Sequence, residues 1–93
     1  MTALEPAPLL EIEVHTLRHA LGLTHGKRAY RRFYLAERGF AIDAVCTLLV
    51  ARGYMVEWEY NGSGGTRSYR VTPAGAAAVL RPGETLDAEL FGR

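Results

Sequence analysis

Between Leu17 and Phe40 the chain carries Arg18, Lys27, Arg28, Arg31, Arg32 and Arg38 against one acid, Glu37. Tyr30, Phe33 and Tyr34 are interleaved with them. Cations neutralise phosphates and so supply affinity without reading sequence, and aromatic rings offer stacking surface. Most of the acid lies elsewhere: Glu5, Glu11 and Glu13 on one side, Glu84, Asp87 and Glu89 on the other. The candidate binding set is therefore Lys27, Arg28, Arg31, Arg32 and Arg38 with Tyr30. A solvated basic face is the plainer alternative for a cluster of this size. Thr47, Arg52 and Arg67 form a secondary set.

Other reactive side chains do not assemble into a catalytic pattern. His15 and His19 stand four residues apart, a spacing that can clip a metal. A structural zinc needs four ligands, and only a fortuitous fold would add His25 and Cys46. Cys46 sits among Val45, Leu48 and Leu49, the setting of a small buried hydrophobe rather than a nucleophile. Asn61-Gly62-Ser63-Gly64-Gly65 is glycine-rich, but no Gly-Lys-Ser/Thr follows, so it reads as a turn and not a phosphate loop. Paired carboxylates are absent. The reading is a non-enzymatic protein without metal or cofactor.

The elements that must carry these residues are written in the punctuation. Pro6 and Pro8 leave residues 1–7 as a flexible lead, and Pro8 can open a helix to about Leu21. Leu10, Val14, Leu17 and Leu21 form its apolar stripe, and Gly22 stops it. A second helix from about Arg28 to Arg38 would bury Tyr30, Phe33, Tyr34 and Leu35. It would also place Arg28, Arg31 and Arg32 on one face. A third runs over Ile42–Arg52, with Asp43 as N-cap, Gly53 as stop, and Val45, Leu48, Leu49 and Cys46 inward.

Tyr54, Val56, Trp58 and Tyr60 then alternate with Met55, Glu57 and Glu59, the period of a strand. A second strand follows the glycine-rich turn, giving a hairpin at about 54–60 and 66–72. The aromatic face Tyr54, Trp58 and Tyr60, joined by Tyr69, is assigned to the core; exposed, it would anchor a partner protein. Arg67 and Arg70 can offset Glu57 and Glu59 across the hairpin. Thr72-Pro73 caps a short alanine-rich helix to about Leu80. The domain spans 8–82. Residues 83–93 form a tail in which Leu86, Leu90 and Phe91 suit one amphipathic turn, packed on the domain or on a second copy in a homodimer.

The pieces LLVARGYM and RSYRVTPAG, within Leu48–Leu80, resemble the second half of MarR-like and PadR-like winged-helix repressors. That resemblance implies an α+β winged-helix-like fold with three N-terminal helices, a hairpin and a short C-terminal helix. It implies DNA binding or protein docking, since winged helices serve both. ALGLTHGKRAYRRFY, followed by Asp43-x-x-Cys46-x-x-Leu49-Val50-x-Arg52-Gly53, is similar to small orphan proteins of phages and prophages. This second resemblance adds an alternative: a protein–protein module, such as a phage-encoded inhibitor of a host defence (anti-CRISPR-like) or transcription complex.

Composition bounds these readings. Ninety-three residues, 48% hydrophobic and 23% charged, make one small domain with little room for a deep cleft. A net charge of +1 excludes a histone-like polycation and an acidic nucleic-acid mimic. One cysteine forms no internal disulfide, no apolar run spans a bilayer, and the N-terminal stretch is unlike a signal peptide. The expected compartment is the cytoplasm. The helix before the hairpin offers only Asp43, Thr47 and Arg52 as polar groups, so base-edge readout is not expected from it.

Overall fold

The helix expected over Arg28–Arg38 is not formed by the described residues 28–37. In the computed structural model, which describes residues 8–37, 39–58, 65–87 and 89–91, this segment supplies two strands. The order is α1 (Glu11–Leu21), β1 (Arg28–Ala29), β2 (Phe33–Glu37), α2 (Ala41–Ala51), β3 (Met55–Trp58), β4 (Thr66–Val71), α3 (Pro73–Val79) and β5 (Thr85–Leu86). The fold is α+β. Among the described residues two helices, not three, precede the hairpin.

Strand β4 lies central, antiparallel to β2 and β3 on either side. Its pairing with β2, Phe33 opposite Arg70 through Glu37 opposite Thr66, is what overrides the helical spacing of Tyr30, Phe33 and Tyr34. Local propensity yields when a strand partner arrives from far along the chain. The inner face of the sheet presents Tyr34, Ala36, Met55, Tyr69 and Val71 to the helices, and Ala36, Met55, Tyr69 and Val71 are buried with Leu17, Leu21, Cys46, Leu49 and Ala76.

The outer face holds Phe33, Leu35, Val56 and Trp58, each 40–50% exposed. The hairpin is therefore turned over relative to expectation. Met55, not Trp58, fills the core, and Tyr69 lies on the face opposite Trp58. Tyr60, Glu59 and Asn61–Gly64 lie outside the described residues. Leu10 and Leu48, expected inward, are exposed, as are Tyr30, Phe33 and Leu35.

Helix ends follow their chemistry. Gly22 closes α1 at φ +81° and Gly53 follows α2 at φ +82°, a region open to glycine at little cost. A Cβ on Gly22 would also collide with the Tyr30 ring. Thr72 caps α3 by accepting the Gly75 N–H at 3.1 Å, with Pro73 in the first turn. The N-cap of α2 is Phe40 and not Asp43.

Asp43 lies one turn in, buried. Its carboxylate accepts the Tyr69 hydroxyl at 2.5 Å and the Gly39 N–H at 3.3 Å, with Arg67 Nε at 3.7 Å. The network ties the start of α2 to β4.

Among the described residues of 84–91 none is helical. Instead β5 pairs in parallel with β1, Arg28 opposite Thr85 and Ala29 opposite Leu86, through Thr85 N–H to Lys27 O and Asp87 N–H to Ala29 O, both 2.8 Å. Leu90 and Phe91 pack on the core while Leu86 stays exposed. No helix is long and apolar enough to cross a membrane among the described residues. Residues 1–7, read as a flexible lead, lie outside those described.

Candidate nucleic-acid interface

The chain from Leu21 to Arg32 leaves the α1 C-terminus as a loop, touches β5, and enters β2. Tyr30 N–H donates to Leu21 O at 3.2 Å, drawing the loop back against the helix end. Arg31 Nη2 donates to the His19 carbonyl at 2.7 Å, a site where a cation also meets the negative end of the helix dipole. Its guanidinium lies 5.6 Å from the Tyr30 ring centroid.

The result is an open concavity of about 360 Å³ whose walls include His19, His25, Lys27, Arg28, Tyr30 and Arg31. Four of the six primary residues expected from sequence thus meet on one surface: Lys27, Arg28, Tyr30 and Arg31. Lys27 is exposed. Arg28 is exposed but paired with Asp87 at 2.8 Å. That carboxyl is held below its ordinary range, first by the Glu89 N–H and then by Arg28.

Arg32 points elsewhere. It donates to Val71 O at 3.1 Å and Leu90 O at 3.3 Å and lies 4.5 Å from the Phe91 ring centroid. Alternation along an extended segment sends it to the side opposite Arg31, so it acts as a brace for the tail and leaves the binding set. Arg38 lies outside the described residues. Arg18, counted with the cationic segment, is also structural: both Nη atoms reach Glu84, at 2.7 and 2.5 Å, and Nη1 donates to Val79 O.

The secondary set does not join the concavity. Thr47 donates to Asp43 O and shares a hydrogen bond with the Tyr69 hydroxyl. Arg52 pairs with Glu13 at 3.3 Å and lies over Tyr54. Arg67 bridges Asp43 and Glu57, at 3.7 and 3.8 Å, which accounts for the expected offset of Glu57.

No family model, curated protein or solved structure matches the chain.

His19 and His25 are the wall residues that sequence reasoning passed over, having weighed them only as metal ligands. Among the described residues no group of three or more His, Cys, Asp or Glu is placed to hold a metal. His15 and His19 instead stack at 6.3 Å, and His19 meets Tyr34 edge-on at 5.3 Å. Partial burial, then the neighbouring Arg31 and the ring nitrogens of His15 and His25, push the His19 imidazole below its ordinary range. At neutral pH it offers the concavity a hydrogen bond rather than a charge. Cys46 is fully buried, and burial followed by the Asp43 charge pushes its thiol up to about 12. It is no nucleophile at physiological pH.

Proposed function

We propose that the chain is a non-enzymatic nucleic-acid-binding protein that grips phosphate through Lys27, Arg28 and Arg31, with Tyr30 beside them. The observation that carries this reading is their convergence on one open concavity from a loop, not a helix. Phosphate contacts of this kind confer affinity and little sequence preference.

A winged-helix-like arrangement is part of the proposal. The run α2–β3–β4–α3 and the pairing of an earlier strand with the hairpin support it. The exposed side chains of α2, among them Ala44, Thr47, Leu48 and Ala51, offer little to base edges. The loop, not that helix, is the proposed contact.

The test is anisotropy of a labelled DNA at rising salt. Three phosphate contacts give a slope of log affinity against log salt of about −2 to −3. Lys27→Ala should weaken binding across sequences and flatten the slope by about 1. Absence of binding at low salt, or binding indifferent to Lys27→Ala with Arg31→Ala, would sink the proposal.

The competing reading is a protein-docking module of phage type. It draws on the apolar groove lined by Pro8, Leu10, Leu48 and Ala51. A partner that survives nuclease treatment and is lost on Leu48→Arg would favour it.

A further inference from the structure

We infer that the outer face of the β2–β4–β3 sheet is a stacking platform for the bases of a single-stranded nucleic acid whose phosphates occupy the adjoining cationic concavity. The inference rests on the nucleic-acid reading above and names the form of the ligand.

The register sets out the platform. Phe33, Arg70 and Val56 form one row across the three strands, and Leu35, Ser68 and Trp58 the next. Phe33 is 50% and Trp58 49% exposed, while the helices pack against the inner face. The platform and the concavity are continuous. His19 and Arg31 wall the large concavity and also a smaller one, of about 230 Å³, which Phe33 and Leu35 line. A strand leaving the phosphate site past Arg31 therefore arrives at Phe33.

Charge runs the same way. Arg70 lies in the Phe33 row, its guanidinium 4.0 Å from the Trp58 ring centroid. Neither of the two rows holds a carboxylate; among the described residues the first acid on this face is Glu37, one row further on, opposite Thr66. Cations and aromatics thus alternate along the path as Tyr30, Arg31, Phe33, Arg70 and Trp58. This is the combination that single strands use, backbone on cations and bases on rings.

Two other occupants fit less well. A duplex hides its base faces within its own stack, so Phe33 and Trp58 would add nothing to it. A protein partner would also use Trp and Arg as anchors but would not call for the cationic concavity beside them, and a two-fold contact of two copies centred here would set Arg70 against its own counterpart.

Trp58 is the only tryptophan, so intrinsic fluorescence reports this face. The experiment titrates the protein with oligo-dT and oligo-rU of about 15 nucleotides and with a duplex of matched length. Anisotropy of a labelled strand is followed alongside. Single strands should quench Trp58 to saturation and the duplex should not. Phe33→Ala and Trp58→Ala should each weaken single-strand binding about 5- to 150-fold and leave duplex binding within about two-fold. Trp58→Phe should retain binding, and Phe33→Leu, which keeps apolar bulk without a ring, serves if Phe33→Ala does not fold.

Strand binding that depends on Lys27 and Arg31 yet leaves Trp58 fluorescence and the Phe33 variants unchanged would overturn the platform and spare the cationic site. No binding of any strand at low salt would overturn both. A dimer in sedimentation that Trp58→Arg converts to monomer would show this face covered by a second copy, and would overturn the platform alone.

Discussion

The molecule is held together in two ways. The inner sheet face and its helices are held by burial: Met55, Val71, Leu49, Leu17 and Leu21 are all fully enclosed. The cationic segment 24–32 has Ala29 as its enclosed side chain and is held by polar bonds to other parts of the chain. Those bonds are the backbone pairing of Lys27 and Ala29 with Thr85 and Asp87, the tail contacts Arg28–Asp87 and Arg32–Leu90, and the bond from Arg31 to the α1 carbonyl. Apolar burial neither titrates nor is screened by salt, whereas charge-assisted bonds titrate and are screened. The proposed binding surface is therefore built from the more condition-dependent half of the structure.

The widest contrast should come from the sheet itself. Met55→Ala should cost about 2–5 kcal/mol in urea unfolding, and Trp58→Ala about 1 kcal/mol or less, from loss of its contact with Arg70. Equal costs would mean that the faces are wrongly assigned. At the border of the two regions, Gly22→Ala forces a left-handed conformation on a residue with a Cβ, a cost of about 1–2 kcal/mol. It also pushes the Tyr30 ring aside. We expect a lowered melting temperature together with weakened nucleic-acid binding; a melting shift with unchanged binding would detach Tyr30 from the site.

The last contrast is read from a pH profile and concerns Glu84. Its hydrogen bonds with Arg18, opposed in part by burial, hold its carboxyl at about 2 against an ordinary 4.5. The unfolded chain takes up this proton first, so the stabilisation is complete above pH 4.5 and is lost as pH falls toward 2. The melting temperature should decline through that window, and Glu84→Gln should flatten the decline. A slope unchanged by Glu84→Gln would place the acid sensitivity elsewhere.

Legibility in the sequence divides along the same line. The stops at Gly22 and Gly53, the Thr72-Pro73 cap and the hairpin strands were all readable, because each is fixed by residues within a few positions. Period-two alternation announced two faces but not which one is inside. The large aromatics drew the assignment to Trp58, whereas Met55 and Tyr69 face the helices. The cationic residues were readable as a group, but not their individual fates. Arg31 and Arg32 are neighbours in sequence and face opposite ways because they lie on extended chain, and that extension is imposed by β4 and β5, some 40 to 60 positions later.

The pairing of β1 with β5 has a consequence for the order of assembly. Lys27 and Arg28 are synthesised some 58 or 59 positions before their anchors at Thr85 and Asp87. At about 5–20 residues per second, the nascent protein spends several seconds with this loop untethered, while α1 and its glycine stop can already form locally. Assembly of the proposed phosphate-facing surface thus waits on residues 85–87, and ribosome-stalled chains ending before residue 84 should carry the same arginines without their native geometry.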